Sequence, residues 1–464
     1  MKITALMLAL VLAGCAAPPI DTSSFPTVPA DFKEAGTQWT ASKPAEAQPR
    51  GEWWKAFDDP VLASLVLRAD QANTSIAVAA ARLAQARALA RSADSERMPQ
   101  VGIGATALRG DGISTVNAPA GNPRNVFALA GNVSYEADVF GRLAQASRAA
   151  ELDARSREAL LQSTRLVVQA DVAQNYLALR ALDAERALVR RTLAAYRGTL
   201  DLTERRYRAG DVAELDVSRA KTEVAATESE ALALDRRRTE LEHAIAVLVG
   251  EAATSFSIAD AEWTTALPVI PAGVPSEVLA RRPDVSAAEG AMLAAQARVG
   301  VAKMAWLPSI SLTGSAGQAS SDLSDLFKYS SRAWIVGALF ALPVFDGGRR
   351  EAGILYASGQ MDADVARYRE QILVAFREVE DQLAALRLLS EQADAQDRAV
   401  QSAARTTALS DSRYRNGLVS QLELLDAQRS ELRNRRSALQ VKSAQYQATV
   451  GLVRALGGSW GERT

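Results

Sequence analysis

The chain has 464 residues, of which 23% are charged with both signs mixed, and its formal net charge is −1. This length allows two or three domains, and the near-neutral charge argues against a nucleic-acid partner. Mixed charges together with frequent alanine are typical of long helices with solvated faces.

Residues 1–14 have the features of a bacterial secretion signal. A positively charged start leads into the apolar stretch 3–12, which is too short to span a bilayer as a helix. The sequence Leu-Ala-Gly-Cys at 12–15 resembles the lipobox of bacterial lipoproteins, which predicts cleavage before Cys15 and a lipid on its thiol. Cys15 is the only cysteine of the chain, so it has no intramolecular disulfide to form. Ala16 after it favours the outer membrane; an ordinary secretory signal with an incidental cysteine is the alternative.

The rest of the chain contains the same series of sequence features twice. Tyr-Arg-Ala-Gly at 207–210 recurs as Tyr-Arg-Asn-Gly at 414–417, an offset of 207 residues (414 − 207). Met-Pro at 98–99 matches Leu-Pro at 307–308, and Val-Phe at 139–140 matches Val-Phe at 344–345. Three features in the same order at nearly the same offset indicate duplication of a unit of about 200 residues.

Each unit is predicted to begin with a helix followed by a β-hairpin. The helices are predicted over 61–98 and 284–307, and each is stopped by a proline, at 99 and 308. Apolar residues then alternate with small or polar ones, which predicts β-hairpins over about 99–140 and about 308–346. The segments 110–124 and 317–332 are rich in turn-forming residues and are predicted to be loops.

A very long helical hairpin is predicted to follow each β-hairpin. Residues 142–209 contain no proline, residues 361–416 contain neither proline nor glycine, and return helices are predicted over 213–249 and 418–450. Helices of this length need neighbours along their whole course, as in coiled coils. The predicted divisions are therefore a lipidated linker 15–60, a first repeat 61–250 with its tip at 210–213, an inter-repeat equatorial segment 251–283, a second repeat 284–457 with its tip at 417–420, and a tail 458–464.

The strand count predicts the assembly. Two hairpins supply four strands per chain, too few to close a barrel, and open strand edges are not tolerated in lipid. Three chains supply twelve strands, an even number as in bacterial outer-membrane proteins. The predicted fold class is therefore a mixed α/β membrane protein with a duplicated unit, in which a trimeric 12-stranded transmembrane β-barrel continues as a long periplasmic α-helical barrel.

Local motifs add a family resemblance that covers nearly the whole mature chain. The Trp-Trp-x-x-Phe-x-Asp-Pro sequence at 53–60, the Arg-Arg-Pro-Asp sequence at 281–284 and the two Tyr-Arg-x-Gly turns carry it. With the duplication they resemble the outer membrane factor family, the TolC-like ducts, and the lipobox resembles that of its NodT-type efflux lipoproteins. The resemblance implies an outer-membrane exit duct for drugs or metal ions that extends into the periplasm. The implied partners are two further copies of the chain, a periplasmic adaptor (membrane fusion) protein, an inner-membrane pump of the resistance-nodulation-division type, and outer-membrane lipid.

Two alternatives stay open at this point. The same architecture also serves as a duct for protein or polysaccharide export. A non-channel periplasmic coiled-coil lipoprotein with a structural role would share the long helices and the lipobox. It would not need matched β-hairpins in both repeats.

The resemblance implies that the hairpin tips contact the adaptor. The tip residues are Gly210, Asp211, Val212, Ala213, Gly417, Leu418, Val419 and Ser420. Plain capping also accounts for the two glycines, because glycine accepts the positive φ at which a helix turns.

Two acids after the second tip are candidates for the aperture of the duct. Glu423 and Asp426 lie three residues apart on one helix face, so three chains would bring six acids to the narrow end. Such a ring attracts cations and repels anions. The family more often has Asp at the first of these positions, and a solvated helix face is the simpler interpretation of both.

The resemblance also implies contacts that hold the aperture shut. Asp216, Tyr207 and Tyr414 lie near the tips and are candidates for them. Asp216 has an alternative partner in Arg219 on its own helix, a surface pair that contributes little to stability. The family's basic partner in the second hairpin falls at Val419 here.

The sequence predicts no enzyme and no metal centre. It contains a single histidine, His243, and no catalytic Ser/His/Asp set, phosphate loop or acid/base pair. A lone His without a neighbouring Cys or His is a poor metal ligand set, so the covalent lipid on Cys15 is the only expected non-protein group. Trp53, Trp54 and Phe57 are expected to be packing anchors, and residues 282–284 a structural turn in which Asp284 caps the next helix.

Overall fold

The structure is a computed structural model that describes residues 19–20, 22–23, 25–29, 31–34, 52–110, 124–270 and 275–458. The predicted signal 1–14, the predicted lipidation site Cys15 and nearly all of the tail 458–464 lie outside the described residues. Among the described residues the chain divides into two compact units, one containing 81–159 and 286–370 and the other 26–80, 160–285 and 371–458.

The first unit contains a four-stranded antiparallel sheet in the order β1-β2-β3-β4. The strands are β1 Gln100–Gly110, β2 Arg124–Glu136, β3 Ser309–Ser320 and β4 Arg332–Ala341. Alternating apolar residues form these strands, as period-two spacing predicts. Because β2 pairs with β3, the hairpins of the two repeats join into one sheet with β1 and β4 at its edges.

Gly317 lies inside β3, so the loop predicted over 317–332 begins later than expected, after Ser320, and ends before Arg332, the first residue of β4. Gly317 pairs with Ala130 on β2 and with Ala333 on β4. A Cβ atom at Gly317 would lie 2.1 Å from the backbone oxygen of Leu129. Glycine is needed here for a close approach of two strands and not for a turn, and composition alone does not separate these two uses.

The first predicted helix is broken into two. Helix α1 spans Pro60–Ala72 and α2 spans Thr74–Ser95, where the sequence predicted one helix over 61–98. Asn73 causes the break, because its side-chain oxygen accepts hydrogen bonds from the backbone N–H groups of Ser75 (2.9 Å) and Ile76 (3.2 Å). Asparagine thus caps the second helix and ends the first without any proline or glycine.

The long helical hairpins are present in both repeats. Helix α3 spans Arg142–Arg208 and returns as α4, Glu214–Leu248; after α5 (Pro275–Arg281) and α6 (Pro283–Met304), helix α7 spans Arg349–Arg415 and returns as α8, Gln421–Ala455. Both outgoing helices have 67 residues and both return helices have 35. Equal lengths in the two repeats confirm the duplication that the sequence offsets indicated.

The second unit has an aromatic cluster at its core. Trp53, Trp54 and Phe57 are at most 5% exposed, and Trp53 packs edge-on against Trp54 at 5.9 Å between ring centroids. Tyr446 on α8 lies 4.9 Å from the ring of Trp263 and 6.3 Å from that of Phe57. The three residues of the Trp-Trp motif are therefore packing anchors, as expected.

The duplication is also visible in individual contacts of the second unit. The side-chain amide of Asn73 donates to the backbone oxygen of Leu248 at 2.8 Å, and the guanidinium of Arg282 donates to that of Ala455 at 3.1 Å. The donors are 209 residues apart (282 − 73) and the acceptors 207 (455 − 248). Asp284 lies in the first turn of α6 and not before it; its carboxylate accepts a hydrogen bond from the backbone N–H of Val285 at 2.9 Å and also binds the Arg282 guanidinium.

None of the helices described combines the length and the apolar character needed to cross a membrane.

Candidate functional site at the hairpin ends

Both helical hairpins turn through the same backbone motif. Gly210 has φ +85° and Gly417 has φ +72°. At the first tip the N–H groups of residues 210 and 211 donate to the carbonyls of residues 207 and 206, and at the second tip 417 and 418 donate to 414 and 413. This is the Schellman arrangement, which satisfies the last carbonyls of a helix and requires a left-handed residue at its centre. Capping therefore explains in physical terms why the two tips share one plan.

The two tips differ in the residues after the glycine. Ser420 caps α8, since its hydroxyl accepts a hydrogen bond from the N–H of Glu423 at 3.4 Å, whereas Ala213 at the start of α4 offers no side-chain cap. Leu418 is 66% exposed and Asp211 is exposed at the matching place. Val212 and Val419 are half-buried. One tip therefore presents an acid to solvent and the other a leucine.

Tyr414 joins the second hairpin to the first. It is 3% exposed, and its hydroxyl lies 3.2 Å from the hydroxyl of Thr203 on α3. Thr203 donates its only hydrogen to the carbonyl of Thr199, so Tyr414 is the donor in this pair. The side-chain amide of Gln421 on α8 donates to the same Thr203 oxygen at 3.2 Å. Three helices thus meet at one buried hydroxyl next to the tips.

Arg206 adds a second connection between α3 and α7. Its guanidinium lies 4.8 Å from the centre of the Tyr414 ring and donates to the backbone oxygens of Tyr414 (3.3 Å) and Arg415 (3.2 Å). A cation over an aromatic face is attracted by the ring quadrupole, and this guanidinium also satisfies two carbonyls at the end of α7. Tyr207, its neighbour, is 44% exposed and does not take part in this cluster.

Each predicted acid lies near an arginine. Asp216 is 3.7 Å from Arg219 on its own helix, which is the alternative partner that the sequence suggested. Glu423 is 3.9 Å from Arg413 across the second tip, and Asp426 is 3.5 Å from Arg429 one helical turn further along α8. These side chains are mostly well exposed, so the individual pairs contribute little to stability and act mainly on local charge.

Sequence reasoning missed Thr203, Gln421 and Arg206. Thr203 and Gln421 are polar residues that are at most 4% exposed, and Arg206 is one of several arginines near the end of α3. No periodic pattern separates them from solvated residues, because their partners lie more than 200 positions away in the sequence.

A second polar cluster binds the inter-repeat segment to the first hairpin. Asp183, whose side chain is 4% exposed, pairs with Arg180 and Arg186 at 3.1 Å and with Arg238 on α4 at 2.8 Å. Arg186 and Arg238 also pair with Asp260 of the inter-repeat segment, at 3.0 and 2.7 Å. Buried charges of this kind need several partners, and this cluster supplies them.

In the described part of the chain no group of three or more His, Cys, Asp or Glu residues is placed to hold a metal ion.

Comparison with known proteins places this chain in a family. The model of the family described as outer membrane efflux protein matches twice, over residues 65–251 and 274–458. The probable efflux pump outer membrane protein TtgC of Pseudomonas putida is 32% identical over 460 residues, with 98% of this chain and 95% of the relative covered. The cation efflux system protein CusC of Escherichia coli is 30% identical over 472 residues and covers 99% of both chains.

Comparison with solved structures agrees with the family found from the sequence. The outer-membrane channel OprN is similar with a TM-score of 0.86 and 30% identity, covering 96% of this chain and 99% of that one. The fold class predicted from the sequence is confirmed by this similarity and by the double family match. The chain belongs to the outer membrane efflux protein family.

Proposed function

We propose that this protein is the outer-membrane exit duct of a tripartite efflux pump and carries small molecules to the exterior. The observation that carries the proposal is the combination, on one duplicated chain, of a four-stranded antiparallel sheet with two long helical hairpins that end in matched turns. Similar proteins are named for the efflux of toluene and of cations and for the export of pyoverdine, which supports small molecules as the class of substrate. A structural spacer would not need the sheet.

The sheet supports a homotrimer. Among the described residues, its outer strands β1 and β4 each have one unpaired edge, and three copies of four strands give twelve. Large apolar side chains on β4 are exposed on the single chain, with Trp334 at 77%, Ile335 at 67% and Val336 at 72%. Edges and apolar faces of this kind are covered when copies pair edge to edge within lipid.

The hairpin ends are proposed to meet the partner proteins. Tip one, residues 210–213, and tip two, residues 417–420, would contact a periplasmic adaptor, which would connect the duct to an inner-membrane pump of the resistance-nodulation-division type. Exposed apolar residues beside the tips support a protein contact: Leu418 is 66% exposed, Leu215 59% and Leu422 43%. This role needs no reactive group, and the protein is proposed not to be an enzyme.

The narrow end of the duct is proposed to lie beside the hairpin tips. Glu423 and Asp426 from three chains would form the acidic aperture, and Tyr414 with Thr203 would hold the hairpins together beside it. Asp216 and Tyr207 are proposed to join these contacts in the assembled trimer. A lipid on Cys15 would tie the chain to the outer membrane.

Electrical recording from the purified, detergent-solubilised protein tests the duct. We expect a trimer that conducts in planar bilayers and prefers cations. Replacing both acids (Glu423→Gln with Asp426→Asn) should lower the preference for cations, because a ring of six carboxylates is neutralised. Glu431→Gln is the matched control, since Glu431 lies further along α8 and pairs with Arg435. A non-conducting monomer would overturn the duct, and an unchanged selectivity would remove these acids from the aperture.

The lipid is tested separately. Cys15→Ser should abolish incorporation of labelled palmitate in cells, whereas conductance of the purified trimer should persist. Label retained by the variant would show that a residue other than Cys15 carries the lipid.

A further inference from the structure

Arg429 differs from the other arginines that flank the proposed aperture acids. It lies 3.5 Å from Asp426 on its own helix, and it also reaches across to Glu223 on α4. Its Nε donates to one Glu223 oxygen at 3.0 Å and its Nη2 donates to the other. Two parallel contacts of this kind form the fork-like pair that arginine makes with a carboxylate.

Glu223 is the stronger of the two partners of Arg429. The Glu223 side chain is 14% exposed, whereas that of Asp426 is 64% exposed and largely screened by water. The hydrogen bond to Glu223 and the charges of Glu223 and Asp426 raise the pKa of Arg429 against the opposing effect of burial. The guanidinium therefore stays charged, and its position between the two acids is set mainly by Glu223.

The same type of salt bridge recurs one heptad further from the tip. Arg436 pairs with Glu230 on α4 and, at 2.7 Å, with Glu185 on α3. Seven residues separate the two arginines (436 − 429) and the two glutamates (230 − 223), which places the second pair about 10 Å along the helices. No candidate aperture acid contacts Arg436. The second pair is thus a matched control for the first.

We propose that Arg429 is a positioning residue for ion selectivity, and that Glu223 sets how much of the Asp426 charge reaches the aperture. This inference rests on the proposed function, specifically on Asp426 lying at the aperture. While Glu223 holds the guanidinium, Asp426 is only partly neutralised. The two partners of one salt bridge then act on selectivity in opposite directions, which a merely structural salt bridge would not do.

Reversal potentials of purified full-length trimers in a KCl gradient test this. Arg429→Gln should raise the cation-to-anion permeability ratio roughly two- to fivefold, as expected for loss of one unit charge a few ångströms from Asp426 across water. Glu223→Gln should lower the ratio by a similar factor, because the released guanidinium moves onto Asp426. Arg429→Lys keeps the charge and should stay near the wild-type value. Arg436→Gln and Glu230→Gln should change the ratio little, since they lie beyond a Debye length of about 8 Å at physiological salt.

The same substitutions in an Asp426→Asn background separate the explanations. If Arg429 acts through Asp426, both effects should disappear there, as a double-mutant cycle reports coupling between neighbouring groups. Shifts of the same sign, or equal shifts in both backgrounds, would overturn the role of Arg429. If Asp426→Asn alone leaves selectivity unchanged, the aperture assignment itself fails instead.

Discussion

Arg282 occupies the position in the second repeat that corresponds to Asn73, which has a neutral amide side chain, in the first. Its side chain is 5% exposed and is held by Asp284 at 2.6 Å and by Glu378 at 2.7 Å. Burial alone would lower its pKa, but hydrogen bonds and charge from these two carboxylates outweigh burial and raise it. Through the buried side chain of Arg282, the Arg-Arg-Pro-Asp motif therefore connects the start of α6 to the end of α8.

Arg282→Gln should reduce the free energy of unfolding of the second unit by about 3–5 kcal/mol, because it leaves two partly buried carboxylates without their cation. Urea unfolding in detergent, followed by circular dichroism, measures this change. Arg377→Gln is the control, since the side chain of Arg377 is 68% exposed. Equal effects of the two substitutions would contradict the role of Arg282 in connecting α6 to α8.

Tyr176 is a second residue whose environment predicts a measurable effect. Burial, opposed by Arg180 and assisted by Asp59, raises its pKa from 10.0 to about 12. Its hydroxyl donates to Asp59 at 2.9 Å, and Asp59 also accepts from the hydroxyl of Thr265 at 2.9 Å. Because the folded state favours the neutral phenol, this stabilisation is complete below pH 10 and is lost as the pH rises through about 12.

Tyr176→Phe should therefore make stability less dependent on pH between 10 and about 12. The midpoint of urea unfolding at several pH values measures this, and absorbance of tyrosinate follows the titration directly. Tyr356→Phe, at a position that is 72% exposed, should leave the dependence unchanged. An identical alkaline loss in both variants would exclude Tyr176 as its source.

At the scale of elements, the sheet depends on one close approach between strands. Gly317→Ala would place a methyl group 2.1 Å from the Leu129 oxygen and 2.5 Å from the Cα of Ala130, so β2 and β3 would have to separate. We expect little trimer to be recovered from this variant. Gly337→Ala on β4, whose nearest neighbour would lie at 3.7 Å, should assemble normally. Size-exclusion chromatography in detergent compares the two yields, and equal yields would show that the strands can adjust.

The elements were largely predictable because each arises from a local rule. Gly210 and Gly417 mark the hairpin ends, and alternation marks the strands. The break at Asn73 was missed, since asparagine within an apolar-periodic stretch is compatible with a continuous helix unless its side chain caps the N–H groups of Ser75 and Ile76. The cluster of Tyr414 with Thr203 could be predicted only in part, because nothing in the spacing of helical residues tells which faces of distant helices meet.

At the scale of the whole molecule, the open edges of the sheet make a prediction about assembly. If three copies join β4 to β1, amide hydrogens on these edge strands should exchange with solvent as slowly as those of β3. Hydrogen exchange with mass spectrometry of the trimer, comparing peptides over 100–110 and 332–341 with those over 309–320, measures this. Fast exchange confined to the edge strands would show that they stay unpaired.

The unequal tips have a consequence for any partner that binds end-on. A trimer of a duplicated chain presents six similar turns, but they alternate between Asp211 and Leu418 and between an uncapped and a serine-capped helix. Six turns of one backbone motif would therefore carry two different sets of side chains, each present three times. A partner that assembles as six identical copies must bind both kinds of hairpin tip. A partner present in three copies can bind one kind of tip and leave the other unoccupied.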